Sequence, residues 1–163
     1  MHRRTEPGNV RERGVSFVRI MVVDDFEPWR RVLSETIETR PGWRVVGEAA
    51  DGLQAIRRSL ELQPDVIVLD IGLPRLNGIE AAREIRKLLP QSRILFLSAD
   101  YSLEIAGEAL KTGVGGYVVK SDAGRQLLEG MEAVINGHRF LSDRLARLIL
   151  DKEEVPNVFK QDR

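Results

Sequence analysis

The chain has 163 residues, 42% of them hydrophobic and 31% charged, with 25 basic and 25 acidic side chains and no cysteine. That length suits one domain of ordinary size. The balanced charge gives no global basic field for nucleic acid, and the absence of cysteine excludes a disulfide scaffold, a thiolate zinc site and a cysteine nucleophile.

The N-terminal stretch MHRRTEPGNVRERG carries basic residues but no apolar run behind them, so it does not read as a secretory signal. Residues 1–16 are expected to form a flexible arm. FVRIMVV (17–23) follows as the first strand. Pro28 suits the first turn of a helix reaching about Arg40. WRVVGEA (43–49) is the second strand, Asp51-Gly52 a turn, and Leu53, Ile56 and Leu60 the stripe of a second helix. DVIVLD (65–70) is apolar at successive positions, as a central strand buried on both faces should be. A third helix over 79–89 places Ile79, Ala82, Ile85 and Leu89 on one side. RILFLSA (93–99) is the fourth strand, 102–112 the fourth helix and GYVVK (116–120) the fifth strand. A last helix over 123–137 ends at Gly137. No apolar run approaches the ~20 residues that cross a bilayer, so no membrane partner is expected.

Strands alternating with helices through short loops imply parallel strands and right-handed crossovers, a doubly wound α/β sheet of five strands with helices on both faces. In such sheets ligands bind beyond the carboxyl ends of the strands, where strand order reverses. Asp24 and Asp25 follow the first strand, Asp70 the third, Ser98 and Ala99 the fourth and Lys120 the fifth. Taken singly, each is an ordinary strand-end residue. Taken together, three carboxylates, a hydroxyl and an ammonium converge on one edge. Three crowded carboxylates repel one another unless a cation sits among them. Oxygen ligands without His or Cys suit a hard cation such as Mg²⁺. A carboxylate facing a metal, a lysine and a hydroxyl is equipped for phosphoryl transfer. The small Ala99 leaves room for the incoming group.

VVDD, VIVLDIGLPRLNG, LFLSA and GGYVVK occur in that order, and over about residues 17–139 the chain resembles the receiver domain of two-component response regulators. The resemblance implies a flavodoxin-like, CheY-like (βα)5 fold and a phosphorylation-controlled switch rather than an enzyme, beyond catalysis of its own phosphorylation and dephosphorylation. It implies that Asp70 is the phosphoacceptor and that Asp24, Asp25, Asp70 and the Gly72 carbonyl hold Mg²⁺. Ser98, Ala99 and Lys120 would then contact the phosphoryl group, Ser98 and Tyr117 would switch together, and Gly72 and Asp100 would flank the path of hydrolytic water. A sensor histidine kinase is the implied partner and the cytoplasm the implied location. A homodimer would form through the fourth helix, fifth strand and fifth helix. GEAADGLQAI and GYVVKSDAGRQLLEGMEAVINGHRFLS resemble regulators with a LuxR-type helix-turn-helix output. Residues 140–163, expected as a linker or helix and a tail, are too few for that output. No direct DNA binding by this chain is expected.

Two other classes share the topology. A haloacid-dehalogenase-like phosphatase also uses a strand-end Asp but needs a second Asp two positions on, where Gly72 stands. A flavodoxin-like cofactor protein needs a Ser/Thr/Gly-rich phosphate loop, where this chain has the acidic DDFEP. GVGG (113–116) precedes a strand rather than opening a helix and reads as a turn. His2 and His138 read as surface residues, and Trp29 and Trp43 as packing or interface residues.

Overall fold

The computed structural model describes residues 10–12, 15–100 and 102–151. Among the described residues seven strands and six α-helices follow in order: β1 Val10–Glu12, β2 Val15–Val23, α1 Glu27–Glu38, β3 Trp43–Ala49, α2 Gly52–Leu62, β4 Val66–Leu69, α3 Gly78–Leu88, β5 Arg93–Ser98, α4 Leu103–Lys111, β6 Gly116–Val119, α5 Ala123–Ile135, β7 Phe140–Leu141 and α6 Asp143–Leu150. The five expected strands are β2 to β6. They pair in parallel in the order β3-β2-β4-β5-β6, and β7 continues the sheet beside β6. The chain steps outward from β2 to β3 and then crosses back to β4, so strand order reverses between β2 and β4.

β1 is an addition to the expected set. It pairs antiparallel with the start of β2, Val10 opposite Phe17. Where the arm expected over 1–16 is described it is strand, Val10–Glu12 in β1 and residues 15 and 16 at the start of β2; the rest of it, His2 included, and the tail after residue 151 fall outside the described residues.

The alternating burial of a strand covered on both sides divides the core in two. Met21, Val23, Ile67, Leu69, Phe96, Tyr117 and Val119 point to the face covered by α2, α3, α4 and α6. Ile20, Val22, Val66, Val68, Leu95, Leu97 and Val118 point to the face covered by α1 and α5. Every residue of β4 is buried, as its unbroken apolar run implies.

Helix ends follow their local chemistry. Pro28 sits in the first turn of α1. The Asp51-Gly52 pair is not a free turn. Asp51 caps α2, its Oδ1 accepting from Gln54 N–H at 2.7 Å, while Gln54 Oε1 accepts from Ala50 N–H at 2.6 Å. α5 ends at Ile135. Gly137, with φ of 78°, takes the left-handed position after it, so that His138 N–H reaches Ala133 O at 2.9 Å and Gly137 N–H reaches Val134 O at 3.1 Å.

One stripe differs from expectation. Ile56 packs on the core as expected, but Leu53 and Leu60 are 53% and 43% exposed, and α2 buries Gly52, Ala55 and Ser59 instead. The reason is close approach. A side chain at Gly52 would overlap the Leu76 carbonyl in the loop before α3, so α2 lies flat on its neighbours through its small residues and turns the two leucines outward.

Candidate phosphoryl-transfer and metal site

β2 and β4 are neighbours, and each ends in acid. Asp24 and Asp70 are 1% and 6% exposed while Asp25 is exposed; one carboxylate oxygen from each of the three lies within 4.8 Å of the others. The loop after Asp70 is shaped to hold it there. Asp70 N–H donates to Val23 O at 3.0 Å, and Gly72 N–H donates to Asp70 Oδ1 at 3.3 Å. Asn77 caps α3, its Oδ1 accepting from Glu80 N–H at 3.0 Å. Gly78 packs so tightly that a methyl there would overlap the Asp70 carbonyl. This accounts for the turn residues that crowd the end of a buried strand: Asn77 starts a helix, and Gly78 lets the acidic loop lie against it.

Lys120 opens a short 3-10 turn, Lys120–Asp122, after β6. Its Nζ lies 2.6 Å from Asp24 Oδ2 and 3.4 Å from Asp70 Oδ2. Asp24 Oδ1 is also engaged, accepting from Phe26 N–H at 2.9 Å. Burial pushes the Asp70 carboxyl above the usual carboxylate range. The Lys120 charge opposes that rise and the Asp24 charge adds to it. Burial works against the Lys120 ammonium, but the Asp24 hydrogen bond and the two carboxylate charges outweigh it and raise its pKa. One ammonium therefore serves two buried carboxylates, and the donor set, all oxygen, fits a hard divalent cation.

The hydroxyl side is arranged differently. Ser98 ends β5 and is buried, and its Oγ accepts from Asp100 N–H at 3.2 Å. Asp100 is exposed, and its Oδ1 accepts from Ser102 N–H at 2.8 Å at the start of α4. Ala99 is exposed, and no atom would obstruct a side chain at Gly72. Tyr117 is fully buried, with its hydroxyl donating to Asp100 O at 2.6 Å and its ring centroid 6.2 Å from that of Phe96. Burial is the main cause pushing its phenol up to about 12.

Arg30, which the sequence did not mark, and Trp29, expected as a packing or interface residue, also brace the site. Arg30 Nη1 donates to Asp24 O at 2.7 Å, and Arg30 Nε pairs with Glu48 at 3.3 Å. Nothing in the sequence sets Arg30 apart from its solvated neighbour Arg31. Trp29 packs against the α1–α5 side of the core, with Lys120 Nζ 6.0 Å from its ring centroid. His138 is a surface residue, and the GVGG segment is the turn before β6, with Gly113 at φ of 85°.

The family model for the response regulator receiver domain matches residues 20–132. This chain belongs to that family. The receiver is a phosphorylation-controlled signalling switch, a regulatory module that some relatives carry beside an enzyme domain. Receivers work with histidine kinases and bind Mg²⁺ in an acidic pocket. The chain is 42% identical over 105 residues to the protein-glutamate methylesterase/protein-glutamine glutaminase of Thermotoga maritima, covering 63% of this chain and 30% of that protein. It is 35% identical over 116 residues to chemotaxis protein CheY of the same organism, covering 71% of this chain and 96% of the relative. Its fold superposes on a LuxR-family response regulator from Aurantimonas sp. SI85-9A1 with a TM-score of 0.80 at 40% identity, covering 83% of this chain and 97% of that one. The chain thus spans under a third of the methylesterase but nearly all of the chemotaxis protein. No helix among the described residues is long and apolar enough to cross a membrane.

Proposed function

We propose that Asp70 is the phosphoacceptor of this receiver and that Asp24, Asp25, Asp70 and the Gly72 carbonyl hold the Mg²⁺. The observation that carries the reading is the single ammonium of Lys120 set between Asp24 and Asp70, with Asp25 beside them. A carboxylate oxygen of Asp70 attacks phosphorus, the bond from phosphorus to the donor's leaving group breaks, and an aspartyl phosphate results. Lys120 turns from Asp24 toward the new phosphoryl oxygens. Mg²⁺, when bound, offsets negative charge on the transferring oxygens. Ser98 donates its hydroxyl proton to a phosphoryl oxygen, and the small side chain of Ala99 leaves that approach open. Gly72 and Asp100 flank the path of hydrolytic water, and Gly72 gives it no cover.

The donor is a histidine kinase, and the reaction belongs in the cytoplasm, where such kinases present their phosphohistidine. The readout is the surface made by α4, β6 and α5, reached through Ser98 and Tyr117. A homodimer expected through that surface meets α6 on it, because α6 already packs against α4 and β6. A second copy seating there contacts α6 as well.

Mass spectrometry after exposure to acetyl phosphate and Mg²⁺ tests the assignment. One phosphoryl adduct on Asp70 is expected, absent in Asp70→Asn. Wild-type labelling of another residue in Asp70→Asn would overturn it.

A further inference from the structure

β7 and α6 have no part in the phosphoryl chemistry, yet they are tied to it. Ser142 joins them and is fully buried, its N–H donating to Tyr117 O and its Oγ accepting from Val119 N–H, both at 3.0 Å. Asp143 is held twice by Gln126, through Nε2 to its Oδ1 at 3.0 Å and through Oε1 to its N–H at 2.7 Å. Arg144 N–H reaches Asp122 Oδ2 at 3.3 Å, in the turn that Lys120 opens. Beyond this clip, Leu145 and Ile149 enter the same apolar cluster as Tyr117, Ala106, Ala109 and Leu110.

Tyr117 sits at the junction. Its hydroxyl is bonded to Asp100 O, Asp100 N–H is bonded to Ser98 Oγ, and Tyr117 O is bonded to Ser142 N–H. A bonded path therefore runs from the hydroxyl at the sheet edge to the start of α6. A ring flipped off Asp100 would need room on the side of β6 where Leu141, Leu145 and Ile149 are packed.

We propose that α6 is an intramolecular occupant of the α4–β6 face that wedges Tyr117 in its inward rotamer, so that docking of α6 and occupation of Asp70 reinforce each other. This rests on the reading of Asp70 and Ser98 given above. Ser98 engaged with a phosphoryl oxygen holds the 98–100 turn, that turn holds the Tyr117 hydroxyl, and the inward ring keeps the seat of Leu145. Linkage makes the effect reciprocal: occupation of Asp70 strengthens α6 docking by the factor by which docking strengthens occupation, so a change that undocks α6 weakens occupation by up to that factor. A partner that reads the phosphorylated receiver then meets a face with α6 firmly on it.

Beryllofluoride with Mg²⁺ provides the test on the full chain, followed by the fluorescence of Trp29, whose ring neighbours Lys120. Wild type, Leu145→Ser and Ser142→Ala are compared, with amide exchange measured over 143–150. Beryllofluoride is expected to slow exchange across 143–150 in wild type, and both variants to bind it about five-fold or more weakly. Equal affinity in all three, or unchanged exchange over 143–150 in the saturated wild type, overturns the coupling. If Leu145→Ser loses the protection of β4 and β5 amides, the milder Ser142→Ala decides alone. Failure of wild type to bind beryllofluoride, or binding that survives Asp70→Asn, overturns instead the site reading beneath it.

Discussion

Asp24 and Asp25 are adjacent in sequence but not equivalent. Both oxygens of Asp24 are committed, to Phe26 N–H and to Lys120, and its backbone carbonyl is held by Arg30. Asp25 is exposed beside them. Asp25→Ala is therefore expected to weaken Mg²⁺ binding by ~10-fold or more, and by more than Asp24→Ala does; calorimetric titration of the two variants checks the order. Asp70 bears on stability as well as chemistry. Its carboxyl is raised, so the folded state holds that proton to higher pH than the unfolded chain. Stability contributed by Asp70 is accordingly complete below the ordinary carboxylate pKa and falls as pH climbs through the raised folded value. Asp70→Asn removes the buried charge. Thermal melts without metal should show Asp70→Asn more stable than wild type at pH 7, with the gap closing toward pH 3; a gap that widens on acidification would contradict this account.

At the scale of elements, the acidic loop depends on how α3 begins. Asn77 caps the helix and Gly78 lies against the Asp70 backbone, so this helix start is what holds the loop in place. Gly78→Ala forces a methyl into a backbone contact that cannot yield cheaply. A loss of roughly 1–3 kcal/mol is expected from overpacking, read by urea denaturation, together with slower labelling by acetyl phosphate. Asn77→Ala removes only the cap and should cost about 1 kcal/mol, with labelling far less affected. The contrast separates loop position from general stability. α2 makes the complementary point. Leu53 and Leu60 stand out in the sequence, but they are exposed, and the residues α2 buries are Gly52, Ala55 and Ser59.

For the whole molecule, the reversal of strand order between β2 and β4 sets the site. It brings Asp24, Asp25 and Asp70 to one crevice from strand ends far apart in the chain, and β6 delivers Lys120 to the same edge. Three carboxylates against one ammonium leave the folded state short of positive charge there. Mg²⁺ held there, as proposed above, would find no such cluster in the unfolded chain. At a hundred times its dissociation constant it should add about 2.7 kcal/mol to unfolding, and chelation should reverse the gain in a thermal melt. Asp25→Ala should show little of this increment.

The sequence by itself determined the alternation of strands and helices, the buried run of β4 and the identity of the residues at each strand end, because these are local patterns of period and punctuation. Asp24, Asp25, Asp70, Ser98 and Lys120 could be named before any coordinates, since position after an apolar run is enough to place a side chain on the rim of the sheet. Only the tertiary structure decided which face of α2 is buried, because helical period fixes a stripe's spacing and not which stripe finds a close neighbour. It alone showed Arg30 on the Asp24 carbonyl, an ordinary helix arginine until two backbones meet. It also turned the segment after residue 139, expected only as a linker or helix and a tail, into a sixth parallel strand and a helix seated over Tyr117. Ser142 and Leu145 carry no local signal of that role: their partners, Tyr117, Val119 and the α4 side of the core, come together only when the sheet is complete.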